Sequence, residues 1–273
     1  MTHRVNLLGV QIDAVEREAA LSMVERAIIS RRPHQVVTIN VDFLKLAKQD
    51  SAYRHLLNTA DLAVADGMPL VWASRMLGVP LPERITGMDI VCGLASRARH
   101  ARYRFYLLGA APGVAERAGA VLEERYPGAE VCGAYAPPFG SFSTSENDKM
   151  VELIQAARPD VLLVAFGAPR QDIWIREYMT RLAVPVSIGV GGTLNFLAGN
   201  IRRAPAWMQE AGLEWLFRLS QEPRRLWRRY LFGDLPIFLE LLTEPLAFEE
   251  PELDPLERGT ALSSSPAVSY RQR

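Results

Sequence analysis

Cysteine is scarce in this chain. Cys92 and Cys132 are its only two, far apart and with no Cys-x-x-Cys. Neither a thiolate zinc site nor a disulfide framework follows, and a reducing cytoplasm is the expected setting. His3, His34, His55 and His100 are scattered at spacings that suit no metal, so neither a metal nor a cofactor is expected. The formal net charge is zero, so no global basic field argues for a nucleic-acid partner. Lysine is limited to Lys45, Lys48 and Lys149, and nearly all the positive charge is arginine. No apolar run approaches the roughly 20 residues needed to span a bilayer. Charges interrupt MTHRVNLLGVQIDAVERE too early for a signal peptide, and a soluble or peripheral protein is expected. Three nucleotide and nucleophile motifs are also missing. There is no G-x-x-x-x-G-K-[ST] and no G-x-S-x-G, and GVGGTL places Leu194 where G-x-G-x-x-G needs its third glycine.

What is present is an ordinary packed composition, 49% hydrophobic and 23% charged over 273 residues. That length suits one sizeable domain with an appendage, or two small domains. Up to about residue 195, apolar strand candidates alternate with helical patterns. This predicts an α/β fold: a mostly parallel sheet with helices on both faces. Val5 to Ile12 reads as one strand, and residues 13–30 as a helix with Asp13 as its N-cap. HQVVTIN, LAVADG, RFYLLG and PDVLLVAFG read as further strands, and VDFLKLAKQDSAYRHLLNTA as one helix. After Pro205 no strand candidate remains. The expected domains are therefore 1–200, catalytic; 201–247, a helical Arg/Trp-rich appendage; and 248–273, a polar Ser/Pro-rich tail expected to be disordered.

Several apolar strands end in polar or glycine residues: Thr38 and Asn40, then Asp66, Gly109, then Gly167 with Arg170 and Gln171, then Gly189 to Asn195. In a parallel sheet these carboxyl ends share one crevice. Asp66, between an apolar run and a glycine, reads either as the cap of a helix starting near Met68 or as a catalytic base. Arg84 follows in a Pro-Glu-Arg turn. Late in the chain Arg202, Arg203, Arg218, Arg224, Arg225, Arg228 and Arg229 face Glu210, Glu214 and Glu222, interleaved with aromatics. On a single helix Arg218, Arg225 and Arg228 would share a face. Such a face reads as a solvated surface, a diphosphate clamp or a membrane-surface element; arginine with aromatics also suits RNA, against which the neutral whole and the absence of RNA-binding motifs argue.

In order, the stretches TINVDFLKLA, ADGMPLVWASRMLG, PERITGMD, FYLLGAAPGVAE, AFGAPRQDIWI, GVGGTLNFLAGNIRRAPAWMQEAGLEWLFRL and EPRRLWRRYL resemble the WecG/TagA/CpsF family of bacterial glycosyltransferases, over about residues 5 to 240. The resemblance implies a Rossmann-like domain and a metal-independent, inverting transfer. The donor is a UDP-sugar and the acceptor a sugar on undecaprenyl diphosphate, in cell-surface polysaccharide synthesis. It assigns the base to Asp66, active-site contacts to Thr38, Asn40, Arg84 and Gln171, and diphosphate contacts to Arg218, Arg225 and Arg228. It implies a peripheral protein on the inner face of the cytoplasmic membrane, and a homo-oligomer is compatible with it. Asn195 stands where many members carry Asp, which removes a charge from the donor side. A nucleotide-cofactor oxidoreductase and a non-catalytic membrane adaptor are the alternatives; the broken glycine fingerprint argues against the first.

Overall fold

A computed structural model describes residues 3–243, apart from the side chains of His100, Glu210 and Arg225. The expected tail, 248–273, lies outside the described residues.

The chain opens on β1 (Arg4–Leu7) and β2 (Val10–Asp13), an antiparallel hairpin where the sequence suggested one strand. Gly9 makes the difference: its φ of 81° places a reversal in mid-run. Asp13 is correspondingly not a helix cap. Its carboxylate is buried, accepts from Arg4 Nε at 3.0 Å and from the Ala63 amide at 2.8 Å, and so pins the hairpin to the sheet. Helix α1 (Arg17–Ser30) starts later, after Glu16.

Then follow β3 (His34–Ile39), α2 (Val41–Gln49), α3 (Ser51–Asn58), β4 (Leu62–Ala65), α4 (Met68–Met76) and α5 (Gly87–Ala101). The predicted single helix after β3 is broken because the Asp50 side chain accepts from the amides of Ala52 and Tyr53, ending α2 and starting α3. Next come β5 (Arg104–Gly109), α6 (Val114–Arg125), β6 (Glu130–Tyr135), α7 (Thr144–Ala157), β7 (Val161–Ala165), α8 (Arg170–Leu182), β8 (Val186–Gly189) and α9 (Thr193–Leu197). The six strands β3 to β8 form one all-parallel sheet in the order β4-β3-β8-β7-β5-β6.

Alternate strand residues serve opposite layers, as the pleat demands. Val36, Val64, Leu107, Leu163 and Ile188 pack under α1, α5, α6 and α9. On the other face Val37 and Ala63 meet the hairpin, α2, α3 and α4, while Leu108 and Val164 meet α7 and α8. Strands buried on both faces explain why β3, β5 and β7 read as nearly continuous apolar runs.

The C-terminal segment is a string of short helices: α10 (Ala206–Glu210), α11 (Glu214–Gln221), α12 (Pro223–Arg228), a π-helical turn (Arg229–Asp234) and α13 (Leu235–Thr243). Pro223, which lacks an amide to continue α11, separates α11 from α12. Arg218 and Arg228 therefore sit on different helices, and the expected single arginine face does not form. Helix α13 packs on α2 and α4 and buries Ile237 and Leu241 in the same apolar cluster as the hairpin.

Candidate active site

All six parallel strands end at one edge, and their loops line a cavity of about 1000 Å³. The C-terminal helices close over it. Asp66, Thr38, Asn40, Arg84, Gln171, Asn195 and Arg218 all line it. Arg228 does not: it is exposed and lies over the Trp227 ring, 5.3 Å from the centroid. The side chain of Arg225 lies outside the described residues.

Asp66 follows β4 directly. Its amide donates to the Ile39 carbonyl at 2.7 Å, which extends the ladder with β3 by one residue and fixes the backbone. Helix α4 is capped at Gly67 with no side-chain bond, so the capping role weighed for Asp66 is not the one it fills. Its carboxyl opens to the cavity but is otherwise enclosed by protein. That burial pushes it up to about 7; the Arg84 charge opposes the rise, Asp89 and Glu214 reinforce it, and Arg218 opposes it. An acid of that strength exchanges a proton near neutral pH.

Around Asp66 runs a chain of charges. Arg84 donates to Glu214, and both side chains are largely buried. Glu214 also meets Arg203 Nε at 3.5 Å, and Arg203 reaches Asp89 at 3.0 Å. Asp89 in turn forms a reciprocal capping box with Thr86 at the start of α5. The ITGMD stretch is thus a helix start whose acid anchors an arginine 114 residues away. Glu214, a largely buried acid that joins Arg84 to Arg203, was legible only as one of three acids among the late arginines.

Other predicted residues are engaged by the fold itself. Asn40 Oδ1 accepts from the Asp42 amide at 3.0 Å and caps α2. The Thr38 hydroxyl donates to the Gly189 carbonyl at 3.3 Å. Gln171 Oε1 accepts from the amides of Gly167 and Gly191, each at 3.1 Å, and ties together the loops after β7 and β8. Asn195 Oδ1 accepts from Asn200 Nδ2 at 3.2 Å.

The far walls carry arginines. Arg218 lies 5.4 Å from the Phe196 ring centroid, and its buried Nε has no hydrogen-bond partner. Arg170, noted in the sequence only as a strand-end residue, stacks on Phe142 at 3.6 Å, and burial lowers its basicity. Arg229 sits 3.6 Å from both Asp42 and Asp234, and burial pushes Asp234 up to about 6 against the pull of Arg229. Such a cavity, with a near-neutral acid at one wall and guanidinium groups around it, can take a proton from a bound hydroxyl and neutralise an anionic leaving group. Among the described residues, no group of three or more His, Cys, Asp or Glu is placed to hold a metal ion.

The comparison with family models returns the Glycosyl transferase WecG/TagA/CpsF family over residues 5–250. Among curated proteins, the chain is 32% identical over 243 residues to an N-acetylglucosaminyldiphosphoundecaprenol N-acetyl-beta-D-mannosaminyltransferase of Staphylococcus aureus (strain MW2), covering 87% of this chain and 91% of that protein. It is likewise 32% identical over 196 residues to the protein of the same name from Bacillus spizizenii, covering 72% and 74%.

Proposed function

The chain belongs to the WecG/TagA/CpsF family of glycosyl transferases, and from that premise we propose that it moves a sugar from a UDP-sugar to a sugar carried on undecaprenyl diphosphate, with Asp66 as general base. The observation that carries this reading is the place of Asp66. It is an uncapped carboxyl at the sheet edge, opening into the cavity and raised to about 7. A base poised near the working pH is the most effective kind.

In the proposed reaction the acceptor hydroxyl oxygen attacks the anomeric carbon as Asp66 removes its proton. The bond from that carbon to the UDP oxygen breaks on the opposite face, and UDP leaves with the electron pair. One displacement inverts the configuration. Arg218, with Nε free of a hydrogen-bond partner, is the proposed diphosphate contact. Arg84 is bound to Glu214, so its proposed part is to hold the cavity wall and to lend Asp66 positive charge. Thr38, Asn40 and Gln171 shape the floor, and Asn195 stands on the donor side. Metal independence belongs to the proposal and is checked by turnover in EDTA.

The named relatives act on an acceptor tethered to a lipid. No described helix is long and apolar enough to cross a membrane. The C-terminal helices expose Trp207, Trp227, Leu231, Phe232 and Leu239 beside Arg224 and Arg228. Aromatics with arginines suit an anionic membrane surface, where each basic residue contributes about 1 kcal/mol. This supports peripheral attachment to a membrane, and the cytoplasmic face is part of the proposal.

The test is Asp66→Asn with a short-chain prenyl-diphosphate sugar acceptor. Turnover is expected to fall by about 10²–10⁴-fold while UDP binding by calorimetry survives. Wild-type turnover in a folded Asp66→Asn variant would remove Asp66 from the role. Product masses across a panel of UDP-sugars identify the donor.

A further inference from the structure

Behind the cavity floor lies a second acid that the proposed reaction does not use. Asp172 is the third residue of α8 and fully buried. Its Oδ2 accepts from the Tyr53 hydroxyl at 2.9 Å, while Oδ1 has no hydrogen bond of ordinary geometry. Gln35 Nε2 donates to the Asp172 carbonyl at 2.9 Å, holding this turn of α8 against β3.

Gly189 at the end of β8 makes the arrangement possible. A Cβ there would stand 2.5 Å from Asp172 Oδ1 and 2.7 Å from Gln171 Nε2. The carboxyl and the amide therefore press side by side into the space that the missing side chain leaves. The amide is the one that clamps Gly167 and Gly191. An amide has two ends, and only its oxygen can accept from those two N–H groups. With Nε2 beside the acid, that oxygen is turned toward the glycines.

We propose that Asp172 is a positioning residue: its carboxylate selects the orientation of the Gln171 amide and so sets the distance between the two glycine loops that floor the donor site. The substrate in this statement rests on the reading given under Proposed function; the clamp itself does not. Burial pushes the Asp172 carboxyl up to about 7, and the Tyr53 hydroxyl and the Gln171 amide pull it back toward the ionised form. Those two contacts favour the accepting carboxylate, while burial opposes it.

The experiment exchanges hydrogen-bond polarity. In Asp172→Asn, the Tyr53 hydroxyl claims the new amide's oxygen, and the new NH₂ faces Gln171. Gln171 then has to flip, setting its own NH₂ against the two glycine amides. Hydrogen exchange at Gly167 and Gly191 in the ligand-free protein is expected to speed up about tenfold or more, and UDP affinity to fall about tenfold. Adding Gln171→Glu restores an acceptor pair on residue 171, so the double variant should regain protection at both glycines and bind UDP better than either single variant. A residue that only fills volume predicts additive losses instead. Unchanged exchange at Gly167 and Gly191 in D172N, or a double variant no better than the worse single, would overturn the proposal. Should D172N fail to fold, recovery of folding in the double variant supports it and continued failure overturns it. If the wild type binds no UDP, the transferase reading fails while the exchange result still decides this one.

Discussion

The floor and the roof of the cavity are built by different physics. The floor rests on the parallel sheet, whose strands other than the edge strand β6 are buried on both faces, and its side chains are held by hydrogen bonds to backbone: Thr38 to Gly189, Asn40 to Asp42, Gln171 to Gly167 and Gly191. The roof is made of helices of five to nine residues, and α11, which carries Glu214 and Arg218, sinks no apolar side chain fully into the core. Beside the apolar anchors Leu226, Ile237 and Leu241, ion pairs fasten it: Glu214 to Arg84 and Arg203, Arg229 to Asp42, and Lys48 to Glu240. Under the proposed reaction, chemistry that needs fixed geometry would fall to the floor, and contacts that come and go with substrate to the roof. Among these pairs the exposed Lys48–Glu240 should weaken first as salt rises, and the enclosed Arg84–Glu214 last.

The largest expected effect strikes the floor. Beyond the turnover loss, Asp66 should give the rate a pH dependence. The base works only when ionised, so kcat/KM should fall as pH drops through about 7, and the residual rate of Asp66→Asn should lack that limb. Stability supplies the sign check. A carboxyl raised in the folded state binds its proton more tightly there than in the unfolded chain, so it costs stability above about 7, and the cost shrinks as pH falls toward the unfolded value near 3.9. Asp66→Asn should melt at a higher temperature than wild type at pH 8, with the gap closing toward pH 4. Equal melting at pH 8 would mean that Asp66 is not buried as described.

Next comes the joint between the two regions. Glu214→Gln leaves Arg84 and Arg203 short of charge in a nearly dry setting. A loss of about 10–100-fold in kcat/KM is expected, with proteolytic nicking confined to residues 206–234. Nicking spread through the sheet would show that floor and roof are one unit. Arg218→Ala should then weaken UDP binding by about tenfold and leave melting nearly unchanged. The smallest effect is expected at the outer surface: Trp227→Ser with Phe232→Ser should reduce binding to anionic vesicles a few-fold, with turnover of a short-chain acceptor changed by less than about twofold.

The same contrast marks what the sequence could reveal. Strands buried on both faces announce themselves as apolar runs, and their polar ends pointed to Thr38, Asp66 and Gln171. The strand order was not legible, because nothing local encodes which strand lies beside which. The hairpin was missed because Gly9 looks like any small residue until its φ is known. Asp13 looked like a cap because caps and buried hairpin anchors use the same residue type. The arginine face failed at Pro223, whose effect outweighs a spacing of seven and three. Glu214 could not be singled out, since a buried acid and a solvated one share a letter. Gln171 was picked for substrate, and its clamp on two glycine amides depends on loops far apart in sequence.

Helix α13 carries one more consequence. Because Ile237 and Leu241 are rooted in the cluster that holds the N-terminal hairpin, the segment from α10 to the π-helical turn is secured at both ends, more strap than flap. A segment so held is expected to bow outward rather than swing free. Cutting the chain after Arg203 would also pull Ile237 and Leu241 out of that cluster and leave apolar faces of α2 and α4 bare. Activity lost on such a truncation therefore reports on folding as well as on the roof, and point substitutions are the cleaner way to ask what the strap does.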